Sequence, residues 1–81
     1  MKPEEIEALL KIRPFEPFAI HFSNGRSIAI KHPESLVLHR NKCEFGTPVH
    51  DGSLILDKIE YFSYLHIVNL EVLKPQVSEN A

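Results

Sequence analysis

An Asn24-Gly25 pair stands between two short runs in which apolar and polar residues alternate, and this arrangement constrains the chain more than any other. Asn-Gly between alternating runs is the strongest short-range signal for a tight β-hairpin. Phe18, Ile20 and Phe22 fall on one face of the first run, with Ala19, His21 and Ser23 opposite. Ile28 and Ile30 continue the apolar face on the return, with Ser27, Ala29 and Lys31 opposite. The first strand is expected over about 15–23 and the second over 26–31, joined by a type I′ turn. Pro14, Pro17 and Pro33 bound the hairpin on both sides, because proline lacks the amide donor that a strand or helix interior needs.

Around the hairpin the pattern is that of a small β domain. Pro3, then Glu4 and Glu5, suits the first turn of a helix over 3–12, and Ile6, Leu9 and Leu10 form one apolar stripe. Pro14 ends that helix. His32-Pro33-Glu34 breaks strand pairing, and Leu36 to His39 resumes as a strand. Asn41-Lys42 turns into a short strand at Cys43 to Phe45, and Gly46 to Ser53 reads as loop. Leu54 to Phe62 is the next strand candidate, and Ser63 to His66 a tight turn. The last strand, Ile67 to Leu73, is expected to turn Val68, Leu70 and Val72 inward. Lys74-Pro75 ends it, and residues 76–81 read as a frayed tail.

With 81 residues, one domain over 1–75 is expected, burying about 60–65% of the surface exposed by the unfolded chain. The expected fold class is mainly β: a small SH3-like or Sm-like barrel of five to six short antiparallel strands, with an N-terminal α-helix capping one end. A closed sheet removes most exposed edges from so thin a core. An open antiparallel sheet with the helix on one face is the alternative architecture.

Composition excludes several function classes. A formal net charge of -2 does not give the overall basic surface of a general nucleic-acid or membrane binder. No unbroken apolar run exceeds three residues, as in Leu36–Leu38 and Leu54–Leu56, against the roughly 20 of a membrane span. Carboxylates at Glu4 and Glu5 stand where a signal peptide needs an apolar segment. The single cysteine, Cys43, cannot close an intrachain disulfide or a Cys-rich zinc site. A cytoplasmic protein without a membrane partner is the expectation.

No catalytic constellation is legible. Cys43, Ser23, Ser35 and Ser63 lie in no nucleophile motif, and the three glycines all read as turn residues rather than a phosphate loop. The chain is expected to be non-enzymatic and to carry no cofactor. Five histidines, His21, His32, His39, His50 and His66, raise a histidine metal site as a minor alternative, although none pairs at ligand spacing on a helix. Aromatic Tyr61, Phe62 and Tyr64 with a basic rim of Arg26, Lys31, Arg40, Lys42 and Lys58 make RNA stacking a second alternative. The primary expectation is a binding module that engages a protein partner or a copy of itself through edge strands.

Arg13-Pro14-Phe15-x-Pro17-Phe18-x-Ile20, Asn24-Gly25-Arg26, His32-Pro33-Glu34 and Leu65-His66-Ile67-Val68-x-Leu70-Glu71 together resemble a family of short uncharacterised bacterial proteins. That resemblance spans about residues 8–73 and implies no activity. The helix, the Asn24-Gly25 hairpin and Tyr64-Leu65-His66-Ile67 before the last strand also resemble the Sm-like, Hfq-like barrels. This second resemblance implies ring assembly through edge strands, and RNA contacts at Tyr64 and His66. Leu65 stands where that motif carries lysine, and the second strand lacks its mid-strand glycine. His32 and Arg26, exposed at a corner and a turn, complete the candidate ligand contacts.

Overall fold

The hairpin forms where the alternating pattern places it. In a computed structural model that describes residues 1–73, strands β1 (Phe18–Phe22) and β2 (Ser27–Ile30) pair antiparallel, with Ile20 opposite Ile28 and Phe18 opposite Ile30. The turn between them is longer than type I′. Phe22 N–H donates to the Arg26 carbonyl at 2.8 Å, leaving three residues in the loop. Only Gly25 takes a positive φ, 88°. Asn24 instead uses its side-chain oxygen to accept from Arg26 N–H at 2.9 Å, the local bond that makes asparagine a turn residue without left-handed backbone. A side chain at Gly25 would be strained by that φ even though it would meet open space.

The helix α1 (Pro3–Leu10) lies where expected but stops two residues earlier. Arg13 closes its end by donating from Nη1 to the Leu10 carbonyl at 2.7 Å and to the Ile12 carbonyl at 2.9 Å. Those carbonyls have no partner inside the helix, so the guanidinium satisfies them and meets the negative end of the helix dipole. Ile6 is fully buried, with Leu9 and Leu10 packed around the same core. Burying this stripe is what keeps an eight-residue helix folded.

After β2 the chain bends through a 3-10 turn at Pro33–Ser35 and enters β3 (Leu36–Leu38). Strand β4 (Lys42–Pro48) pairs with β3 and then with β5 (Leu56–Ser63). It runs through Gly46 instead of ending at Phe45, because β5 continues the ladder with Gly46 opposite Ile59. The Leu56 side chain lies across Gly46, and a Cβ there would stand 2.8 Å from Leu56 Cδ1. Glycine at 46 therefore admits Leu56 onto the sheet. A second 3-10 turn, Tyr64–His66, opens with Ser63 Oγ accepting from Leu65 N–H at 3.2 Å.

The last strand, β6 (Ile67–Val72), pairs with β1. Among the described residues six strands thus form two antiparallel three-stranded sheets, ordered β2-β1-β6 and β3-β4-β5. The inward face expected for β6 is corrected in part. Phe22 stands opposite Ile67 and His21 opposite Asn69, so the register shifts and Val68 becomes the extra residue of a bulge. Ile67 takes the buried place, Leu70 is half-buried, and Val68 is 61% exposed. Ile6, Phe18, Ile20, Phe22, Ile28, Ile30, Leu36, Cys43, Tyr64 and Ile67 form one core. The strand end at Lys74-Pro75 and the tail over 76–81 lie outside the described residues. Among those residues no helix is long and apolar enough to cross a membrane.

Candidate functional site

Arg26 leaves the hairpin just after its turn and reaches across to the other sheet. Its Nη2 donates to both carboxylate oxygens of Glu60 on β5, each at 3.0 Å. Its guanidinium carbon lies 5.2 Å from the centre of the Phe62 ring, which in turn packs 4.6 Å from Phe22. A stacked, ion-paired arginine thus ties the two sheets together. Because both partners keep water contact, the ion pair is worth only about 0–1 kcal/mol.

Beside this clasp is a concavity of about 360 Å³ lined by Phe22, Ser23, Arg26, Tyr61, Phe62 and His66. Phe22, Tyr61 and Phe62 come from strands, whereas Ser23 and Arg26 come from the hairpin turn and His66 from the second 3-10 turn. Ser23 N–H donates to the His66 carbonyl at 2.8 Å, which holds the second 3-10 turn against the hairpin. Two of the candidate contacts, Arg26 and His66, are brought together here.

The other two are not. Tyr64 is buried in the core, and its hydroxyl donates to the His39 carbonyl at 2.7 Å. His32 lies at a separate concavity of about 280 Å³, with Glu34, Gly46, Pro48, Leu54 and Leu56. Its Nε2 is 3.6 Å from Asp51 Oδ1 at the tip of the β4–β5 loop.

Three of the histidines, His21, His32 and His39, each stand beside a single carboxylate. His21 Nε2 bonds Glu71 at 2.9 Å, and His39 Nε2 bonds Glu44 at 3.0 Å. His50 Nδ1 stands 3.2 Å from the Asp51 carbonyl oxygen. Among the described residues, no group of three or more His, Cys, Asp or Glu side chains is placed to hold a metal ion.

Burial pushes the Cys43 thiol above its ordinary value of 9.0 and the Tyr64 phenol above 10.0. Both groups are thereby kept protonated, and a protonated thiol is a poor nucleophile. The unfolded chain gives up these protons first as pH rises. Stability from this source is fully present below pH 9.0 and is lost as pH climbs through 9.0 and 10.0 toward the folded values. The urea midpoint should fall in that alkaline window. A Tyr64→Phe variant should show a shallower fall, and an unchanged slope in it would contradict the assignment.

The feature that pattern reading missed is the exposed apolar strip of β5 and the turn before it. Leu54 is 89% exposed and Ile55 69%, followed by Leu56, Ile59 at 47% and Tyr61 at 59%. The Leu54-Ile55-Leu56 triplet was the available signal, but a short apolar run reads equally as buried strand. Compared with protein-family models, with curated proteins and with solved structures, the chain matches none.

Proposed function

We propose that this chain is a non-enzymatic binding module that self-associates through a strand edge, on a small SH3-like or Sm-like barrel. The exposed apolar side chains of β5 carry the reading. This strand is the outer member of its sheet, so among the described residues its outward amides and carbonyls have no ladder partner. Natural edge strands are usually blunted by charge, proline or brevity. Strand β5 carries Asp57, Lys58 and Glu60, charges of both signs, yet has eight residues and keeps Leu56, Ile59 and Tyr61 half-exposed, a surface suited to another strand. The barrel reading is supported by the chain order of the two sheets, with β2 leading into β3 through the Pro33 corner and β6 returning beside β1. A reducing, cytoplasmic setting suits a single buried, unpaired cysteine.

Light scattering across a concentration series tests this. An oligomer of defined size at micromolar concentration is expected. A strict monomer at every concentration would remove the reading.

A second reading, Sm-like RNA binding, is supported by Arg26 and His66 sharing one cleft with the half-exposed Tyr61 ring. Glu60 already neutralises Arg26, which places this second to self-association. Short single-stranded oligonucleotides should bind at low salt and weaken steeply as salt rises. Lack of binding at low salt would end it.

A further inference from the structure

We propose that the self-associating edge is β5 against β5 of a second copy, antiparallel, about a two-fold axis at Ile59. The inference rests on the self-association reading above and names the geometry it takes.

Charge along β5 selects the register. Centring on Ile59 sets Ile59 opposite its own counterpart and Lys58 opposite Glu60, twice. Centring on Asp57, Lys58 or Glu60 would instead set two like charges directly opposite, which is destabilising, and centring on Leu56, Tyr61 or Phe62 would leave Lys58 and Glu60 without an opposite charge. The pairing of β5 with β4 fixes which face each side chain shares. Leu56, Ile59 and Tyr61 stand opposite Pro48, Gly46 and Glu44, all on one face. Lys58 and Glu60 stand opposite Thr47 and Phe45 on the other, where Glu60 meets Arg26.

Two copies joined in this register bring their Ile59 and Tyr61 side chains into one apolar strip, with Leu56 on the same face beyond the bulge at Asp57. Gly46, opposite Ile59, adds no side chain to crowd the strip on its inner side. On the opposite face, each Glu60 is held between Arg26 of its own copy and Lys58 of the second. The result is an isologous dimer, in which one patch serves both partners and the assembly closes at two. It joins the two β3-β4-β5 sheets into one of six strands.

A cysteine at the axis is diagnostic. Directly opposed residues of an antiparallel pair have Cα atoms about 4.5–5.5 Å apart, inside the roughly 4.4–6.8 Å span of a disulfide. Under mild oxidation Ile59→Cys should convert to a covalent dimer. Val68→Cys, more exposed than Ile59 but on β6, should not, and wild-type Cys43 is buried and serves as the control. Lys58→Glu should weaken the dimer by at least about tenfold, since it replaces two attractive cross-strand charge pairs with two like-charge pairs, which are destabilising. If light scattering shows an oligomer and Ile59→Cys does not cross-link, or cross-links no better than Val68→Cys, the register is overturned and self-association stands. A monomer under all conditions overturns both.

Discussion

Phe18→Ala is expected to leave the protein largely unfolded at physiological temperature. Phe18 is completely buried at the start of the central strand, between β2 and β6, with the Phe15 ring edge-on at 6.1 Å. Truncating a buried phenylalanine costs about 3–5 kcal/mol, through lost transfer energy and the cavity left behind. A domain of this length has a total stability of roughly 4–12 kcal/mol, at about 0.05–0.15 kcal/mol per residue. The substitution therefore removes a large part of the whole. Urea titration followed by circular dichroism should show the folded baseline lost or much shortened. Phe18→Leu, which keeps most of the volume, should cost markedly less. A Phe18→Ala protein with a wild-type midpoint would mean that the core is not organised around β1.

Tyr64→Ala is expected to be nearly as damaging, at about 3–5 kcal/mol by the same reasoning. Its ring is in the core and its hydroxyl fastens the second 3-10 turn to the β3–β4 turn through the His39 carbonyl. Tyr64→Phe keeps the ring and loses one hydrogen bond, so it should cost only about 0.5–1.5 kcal/mol. The pair of variants separates a packing role from a ligand contact. Under the RNA reading, Tyr64→Phe should leave oligonucleotide affinity unchanged, whereas His66→Ala, on the exposed wall of the cleft, should lower it. Affinity lost in Tyr64→Phe with stability intact would reverse that assignment.

Those two residues also show how far local pattern reaches. Phe18 is recognisable as core because it alternates with polar neighbours on a strand fenced by prolines and an Asn-Gly turn. Tyr64 sits among Tyr61, Phe62 and Leu65 without a periodic pattern, so its burial and the 87% exposure of Leu65 were not legible. A 3-10 turn places consecutive side chains about a third of a turn apart, which sends Tyr64 inward and Leu65 outward. Neither strand nor helix periodicity anticipates that split. The candidate site was half legible. Arg26 and His66 meet, but the cleft they share with Phe22 and Phe62 exists only because β5 passes beside the hairpin.

Proline and glycine positions and two-residue alternation determined the helix, the hairpin, the corner at Pro33 and five core residues on β1 and β2. These are local properties, set by dihedral preference and by which face of a strand is apolar. Only tertiary structure decided that Val68 is expelled by a bulge, that β4 runs on through Gly46, and that β5 stands at an edge with its apolar side chains in water. Each depends on which strand lies alongside, and pairing partners distant in sequence impose register shifts that no local period encodes.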